Sequence, residues 1–325
     1  MKAIVVASDT RRSLRWQEVP QPTLGPGEVL INARATAVNR ADLLQRKGRY
    51  APPPGASEIL GLEVAGEVVQ CGEQVSGWSV GDRVCALLPG GGYAQYVVCP
   101  AELLLRVPGS LSFAEAAALP EALYTSYLNL YVEGRLRPSE HALIHAGASG
   151  IGTVAIQLCA ALGSPVFATA SAAKLPRLLQ LGATAVFERE REDFVAGVQG
   201  LTEGRGVDVI LDPVGGSYLT RNLAALAVGG RLVVIGLLGG AKGELPLGDL
   251  LTRRLRIIGS VLRGRSVAEK AELTRELERR VWPLVATGKI RAVIDRVFAV
   301  TDAEAAHTLL QSNETTGKLV LTLPR

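Results

Sequence analysis

Between His141 and Gly163 the chain reads HALIHAGASGIGTVAIQLCAALG, and no other stretch limits the fold as tightly. A short apolar run is followed by a turn of small residues and then by an alanine-rich run at helical spacing. That order specifies a strand that turns sharply into a helix. Small residues in such a turn let the N–H groups at the helix start close on an anion, and the helix dipole favours negative charge there. The same residues also serve close strand–helix packing, so the turn by itself leaves both readings open.

Its place in mid-chain implies that something else is built first. Up to about residue 120 the runs AIVV, EVLINARATAV, GEVVQCG, DRVCALL and AQYVVC are short, apolar and separated by Gly and Pro, a β-rich pattern. From 121 to 261 apolar strands alternate with helical stretches at ALIHA, PVFATA, ATAVFE, VDVILD, RLVVIG and LRIIGS. Six βα repeats predict an α/β fold with a doubly wound parallel sheet. A long helix is expected over SVAEKAELTRELERRVWPLVATG, capped by Gly288. VIDRVFAV and GKLVLTLPR then read as strands that return to the first domain, giving domains of 1–120 with 262–325 and of 121–261.

The 325 residues suffice for two domains, and a net charge of +4 is too small to point to nucleic acid. Cys71, Cys85, Cys99 and Cys159 stand apart, so neither a zinc lobe nor a disulfide framework is expected. The N-terminal apolar run is too short for a signal peptide, and none approaches the ~20 residues of a membrane span. A cytoplasmic protein is expected.

In the turn itself, Gly147, Ser149, Gly150 and Gly152 stand in for a G-x-G-x-x-G fingerprint, with Ile151 and Thr153 in the first helical turn. Ser149 takes the place of the second glycine. With five further βα units behind it, the turn reads as a dinucleotide site. No acid lies between Phe167 and Arg177, where one would hold a ribose 2′-hydroxyl. Ser171 and Lys174 stand there instead, a hydroxyl and a cation suited to a 2′-phosphate. NADPH is the expected cofactor; the alternative for Lys174 is a solvated helix start. None of the seven tyrosines has a lysine four residues on, which excludes the short-chain dehydrogenase pattern.

NRADLLQRKGRYAPPPGAS, LGLEVAGEV, VGDRV, GGGYAQYV, AAALPEALYTSY, DPVGGSY and TGKLVL extend the likeness over the whole chain. Together they resemble the medium-chain dehydrogenase/reductase superfamily, which places a β-rich, GroES-like catalytic domain before a Rossmann domain. Within it the pattern is most similar to the zinc-independent quinone oxidoreductases, nearer to the tumour-suppressor-inducible branch than to the zeta-crystallins. Zinc members carry an early Cys and a Gly-His-Glu; here Asn39 and Leu62 stand in those regions, and the three histidines make no ligand set, so no metal is expected.

The resemblance implies NADPH-dependent reduction of quinones, with enones or enoyl thioesters as the alternative acceptor. It sets Asn39 and Tyr50 near the nicotinamide as positioning groups, Tyr50 having the alternative of a structural loop residue. It adds Thr125, Gly216, Ser217, Gly236, Leu237, Ser260, Val261, Leu262 and Lys318 to the cofactor contacts, while a tyrosine of the relatives is replaced near Arg189. It also implies a homodimer through the last Rossmann strand. A non-catalytic reading, an NADPH-binding sensor or RNA-binding protein, rests on the arginines of LTRRLRIIGSVLRGR, which lack interleaved aromatics.

Overall fold

The computed structural model describes residues 1–324. They divide into two compact units: one made of Met1–Tyr124, Arg263–Ala286 and the residues from Arg291 on, the other of Thr125–Leu262 with Thr287–Ile290. In chain order the first unit opens with β1 (Lys2–Val6), β2 (Leu14–Glu18), β3 (Glu28–Val38), β4 (Glu63–Cys71), β5 (Arg83–Leu87), β6 (Tyr96–Pro100) and β7 (Leu104–Arg106). The second unit holds β8 (Ala142–Ile144), β9 (Val166–Ala170), β10 (Ala185–Glu188), β11 (Val207–Asp212), β12 (Leu226–Val234) and β13 (Arg256–Gly259). The chain then returns to the first unit with β14 (Ile294–Ala299) and β15 (Lys318–Thr322).

In the first unit β1 and β2 form a hairpin, and seven strands make the main sheet in the order β14-β15-β3-β4-β5-β7, with β6 also on β3. One edge of β3 serves two partners: Glu28–Asn32 pair with β6, and Ala35–Val38 pair with β15, both antiparallel. On its other edge β3 pairs with β4, and the register shifts there. Gly66 sits in that stretch because a Cβ would lie 2.2 Å from the Asn32 carbonyl oxygen. Alternation along these strands turns Val29, Ile31, Val64, Val84, Leu319 and Leu321 into one buried cluster with Ile4 and Tyr93.

The sheet of the second unit is parallel throughout, in the order β10-β9-β8-β11-β12-β13. Its strands are apolar at nearly every position because both faces are covered. Ile144, Ala168, Val209 and Leu211 pack into one cluster, while Leu143, Phe167 and Ile210 belong to another. The strand order reverses between β8 and β11, the switch point at which open α/β sheets bind ligands.

One expected element differs. The long helix is two helices, Val267–Arg280 and Trp282–Ala286. Pro283 has no N–H with which to continue the first helix, so the hydrogen-bond ladder stops at Val281. Gly288 still takes the left-handed conformation expected of a terminating residue, with φ +72°.

The four cysteines are free; three are buried and Cys71 is partly so. Among the described residues no helix is long and apolar enough to cross a membrane.

Candidate functional site

In the second unit the chain leaves β8 through His145 and enters the helix Gly150–Ala161 at Ser149. Ala146 carries φ +51°, a left-handed value that costs a non-glycine residue energy and recurs at ligand-binding turns. At Gly152 a Cβ would lie 2.5 Å from the Ala146 carbonyl oxygen, so this glycine lets the helix close onto the turn. The Ser149 Oγ accepts from the Gly152 N–H at 3.0 Å and caps the helix. The N–H groups of Gly150 and Ile151 precede the first intrahelical bond and are the donors such a turn presents to a phosphate. Thr153 points elsewhere: its side chain is buried and its hydroxyl donates to the Gly150 carbonyl at 3.1 Å.

Next to this turn, β9 ends at Ala170, and Ser171 and Lys174 bracket a single 3₁₀ turn, Ala172–Lys174. The loops after β11 and β12 lie backbone against backbone. Gly216 donates its N–H to the Gly240 carbonyl at 2.9 Å, and the Ser217 N–H reaches the Gly239 carbonyl at 3.3 Å. A Cβ on Gly236 would stand 2.8 Å from the Pro213 carbonyl oxygen. Leu237 and Val261 are exposed, Leu262 is buried, and Ser260 has a buried Oγ with no hydrogen-bond partner among the described residues. Thr125 is buried in the helix Pro120–Tyr127, where its carbonyl accepts from Asn129 Nδ2. Arg189 pairs with Glu190 at 3.0 Å.

A buried polar chain that sequence reasoning missed holds these strand ends in register. Asp212 closes β11 and accepts from the N–H groups of Val214, at 2.7 Å, and Gly215, at 3.1 Å. It also accepts from Asn222 Nδ2 at 3.1 Å. With that amide donating, Asn222 Oδ1 is the acceptor for His145 Nε2 at 2.7 Å. His145 Nδ1 is therefore unprotonated and accepts from the Thr169 hydroxyl at 2.9 Å. Burial pushes His145 down to about 4, which agrees with a neutral ring. Burial also raises the Asp212 carboxyl, against the pull of its three donors. The one sequence signal was an acid ending an otherwise apolar strand, VDVILD.

The first unit gathers the other predicted residues. Glu63 is fully buried, and its Oε1 accepts from Lys318 Nζ at 2.6 Å and Asn39 Nδ2 at 2.8 Å. Its Oε2 accepts from the Glu121 N–H at 2.9 Å. Lys318 Nζ also reaches Asn39 Oδ1 at 2.6 Å. The Lys318 ammonium, expected beside a cofactor, is thus committed to a carboxylate and an amide, and both ends of the Asn39 amide are engaged.

Beside this triad lies Asp42, which accepts from the N–H groups of Asn39 and Gly61 and from the Tyr93 hydroxyl. Burial pushes Asp42 up to about 6. Tyr93 in turn meets His307 Nε2 at 3.1 Å, and burial holds that imidazole down at about 4. Tyr50 is half-buried, with the Arg263 guanidinium 5.1 Å from its ring centroid. Burial raises its phenol, as does the charge of Glu121, while Arg263 lowers it.

Among the described residues no three or more His, Cys, Asp or Glu side chains group closely enough to hold a metal ion. Leu62 is buried, and the neighbouring Glu63 is saturated by Lys318, Asn39 and a backbone N–H, so this donor set does not fit zinc. The turn at Gly147–Gly152 does fit a dinucleotide.

Residues 25–109 match the family described as alcohol dehydrogenase GroES-like domain, and residues 150–279 match that described as zinc-binding dehydrogenase. The chain is 31% identical over 301 residues to quinone oxidoreductase-like protein 2 homolog of Nematostella vectensis, covering 92% of this chain and 82% of that protein. It is 34% identical over 302 residues to phthioceranic/hydroxyphthioceranic acid synthase of Mycobacterium tuberculosis, covering 93% of this chain but only 14% of that protein's length.

Among solved structures, an NAD-dependent alcohol dehydrogenase superposes with TM-score 0.87 at 31% identity over all of both chains. The CurK enoyl reductase gives 0.87 at 30% over 99% of each chain. A mycobacterial protein complexed with NADPH gives 0.87 at 29%, over 99% of this chain and 100% of that one. The parallel sheet with its strand order, the β-rich first unit and these matches together make the chain a member of the medium-chain dehydrogenase/reductase superfamily of oxidoreductases.

Proposed function

We propose that this protein is an NADPH-dependent reductase of quinones and related electron-poor acceptors, working without a metal ion. The observation that carries the reading is the Glu63–Lys318–Asn39 triad, in which the buried carboxylate already has a full set of donors from the chain itself. With no Lewis acid to steady an alkoxide, the favoured acceptor is one that spreads incoming charge over its own π system. The bound cofactor supplies the hydride. The chain's part is to hold the pyrophosphate at Gly150 and Ile151, meet the 2′-phosphate with Ser171 and Lys174, and position the acceptor oxygen against Tyr50.

The test is the loss of NADPH absorbance with 1,2-naphthoquinone, run beside NADH and an enzyme-free blank. NADPH-selective decay supports the proposal, and equal use of NADH removes its cofactor half. A Lys174→Ala variant should weaken NADPH at least tenfold and leave NADH nearly unchanged. The second reading, reduction of an enoyl thioester, is favoured by the likeness to the CurK enoyl reductase. Preference for such a thioester over quinones under the same assay would establish it.

We also propose a two-fold homodimer through β13. Among the described residues this strand pairs only with β12, and Ile257 on it, Val261 beyond it and Leu247 and Leu251 on the helix Leu247–Thr252 are exposed. Sedimentation at micromolar concentration checks it: a monomer there contradicts the proposal.

A further inference from the structure

Arg263 is only 7% exposed, yet no carboxylate lies within ion-pair distance of it among the described residues. Its Nε donates to the Pro89 carbonyl at 2.8 Å and its Nη2 to Gln45 Oε1 at 2.7 Å, both neutral oxygens. Its Nη1 is buried without a hydrogen-bond partner among the described residues. A buried charge is ordinarily paired, and an unsatisfied charged donor is among the costlier groups to bury. The guanidinium lies over the Tyr50 ring, and the Tyr50 hydroxyl makes no hydrogen bond among the described residues. Two donors, the Tyr50 hydroxyl and the Nη1 of the guanidinium over the same ring, therefore lack acceptors among the described residues, and the second belongs to a permanent cation.

The surrounding charges do not supply the missing acceptor. Asp42 and Glu121 act on the guanidinium only through space. Lys270 adds a second buried cation, its Nζ donating to the Arg263 carbonyl at 2.8 Å. Glu269 bears on Lys270 but is engaged by the Ser266 N–H and hydroxyl and by Arg265 at 3.5 Å.

We propose that Arg263 is a second anion-holding group of the acceptor site, so that Nη1 and the Tyr50 hydroxyl together donate to the acceptor oxygen as it becomes negative. This rests on the reductase reading given above. In that reaction the acceptor gains a hydride from the reduced nicotinamide, its π electron pair moves onto oxygen, and a solvent proton completes the product while the cofactor is left oxidised. Arg263 holds the intermediate charge and transfers nothing. Tyr50 alone is a weak partner for an oxyanion; a buried guanidinium beside it strengthens the site without adding a titrating group.

The test uses the cofactor-free protein with 4-nitrophenol and its uncharged analogue 4-nitroanisole, followed by absorbance. At pH 8 the phenolate should bind at least tenfold more tightly than the anisole, with the phenol's pKa lowered by about one unit on binding. Arg263→Lys should keep most of this preference, whereas Arg263→Met should abolish it. Equal affinity for the two probes, or an unchanged preference in Arg263→Met, overturns the proposal. If Arg263→Met does not fold, the wild-type comparison of the two probes decides alone. Should the wild type prefer the phenolate yet reduce neither quinone nor enone, the anion site stands and the reductase reading falls; turnover without the preference gives the reverse.

Discussion

At the ends of β8, β9 and β11, His145, Thr169 and Asp212 form, with Asn222 of the helix Leu219–Ala225, a buried chain with one formal charge. On β4 and β15, Glu63 and Lys318 are buried as deeply with two opposite charges, and Asn39, half-buried just after β3, bonds to both. In the first cluster the Asn222 amide donates to Asp212 and accepts from His145, so the bonds fix a tautomer and an orientation. In the second, attraction between charges must offset the loss of water around both. Such a pair adds little over an apolar filling, but it punishes the loss of either member. Directional hydrogen bonds thus shape the loop after β11, while an ion pair locks together segments 255 residues apart in sequence.

The comparison is broken most forcefully at Lys318. Lys318→Met leaves the buried Glu63 without its cation, with only the Asn39 amide and the Glu121 N–H donating to it, and should cost about 3–5 kcal/mol. The double variant with Glu63→Gln should recover most of that, as urea denaturation of both will show. A loss below about 1 kcal/mol would mean that water reaches Glu63 freely.

Acid titration comes next. His145 and His307 sit near 4 in the folded protein against an ordinary 6.5, because burial disfavours imidazolium. Each therefore contributes stability that is complete above pH 6.5 and is lost as pH falls toward 4, about 3 kcal/mol apiece. Asp42 opposes them: raised from 3.8 to about 6, it favours the fold at acid pH and loses that contribution as pH rises through 6. Urea midpoints should still fall between pH 6.5 and 4, and His145→Gln should flatten part of the slope.

A smaller change is expected from Asn222→Leu, which strips a donor from Asp212 and the acceptor from His145. It should cost about 2 kcal/mol and weaken NADPH binding in a fluorescence titration, since the loop at Val214–Gly215 hangs from Asp212. The smallest belongs to the exposed pair Arg279–Glu276: Arg279→Ala should change stability by less than about 0.5 kcal/mol in the same denaturation assay.

The strands and the two-part organisation were legible because Gly and Pro punctuate the first region and βα alternation marks the second. Ser171 and Lys174 could be named as candidates because the strand pattern marks where β9 ends, which the structure puts at Ala170. What remained hidden depends on partners distant in the chain. Nothing near Lys318 announces Glu63, and family likeness alone set that lysine by the cofactor. No partner for His145 shows in the sequence because its acceptor, Asn222, lies 77 residues away in the helix Leu219–Ala225. Arg263 passed as one of several arginines, since the want of a partner shows only in three dimensions.

The return of the chain to its first unit affects how the protein is made. The second unit draws almost wholly on one continuous stretch, so its parallel sheet can assemble as soon as residues 125–262 have left the ribosome. The first unit must wait. The edge of β3 at Ala35–Val38 stays open, and Glu63 lacks its cation, until Lys318–Thr322 have been synthesised. For that interval an unpaired β edge is exposed to other chains, and β15 closes it.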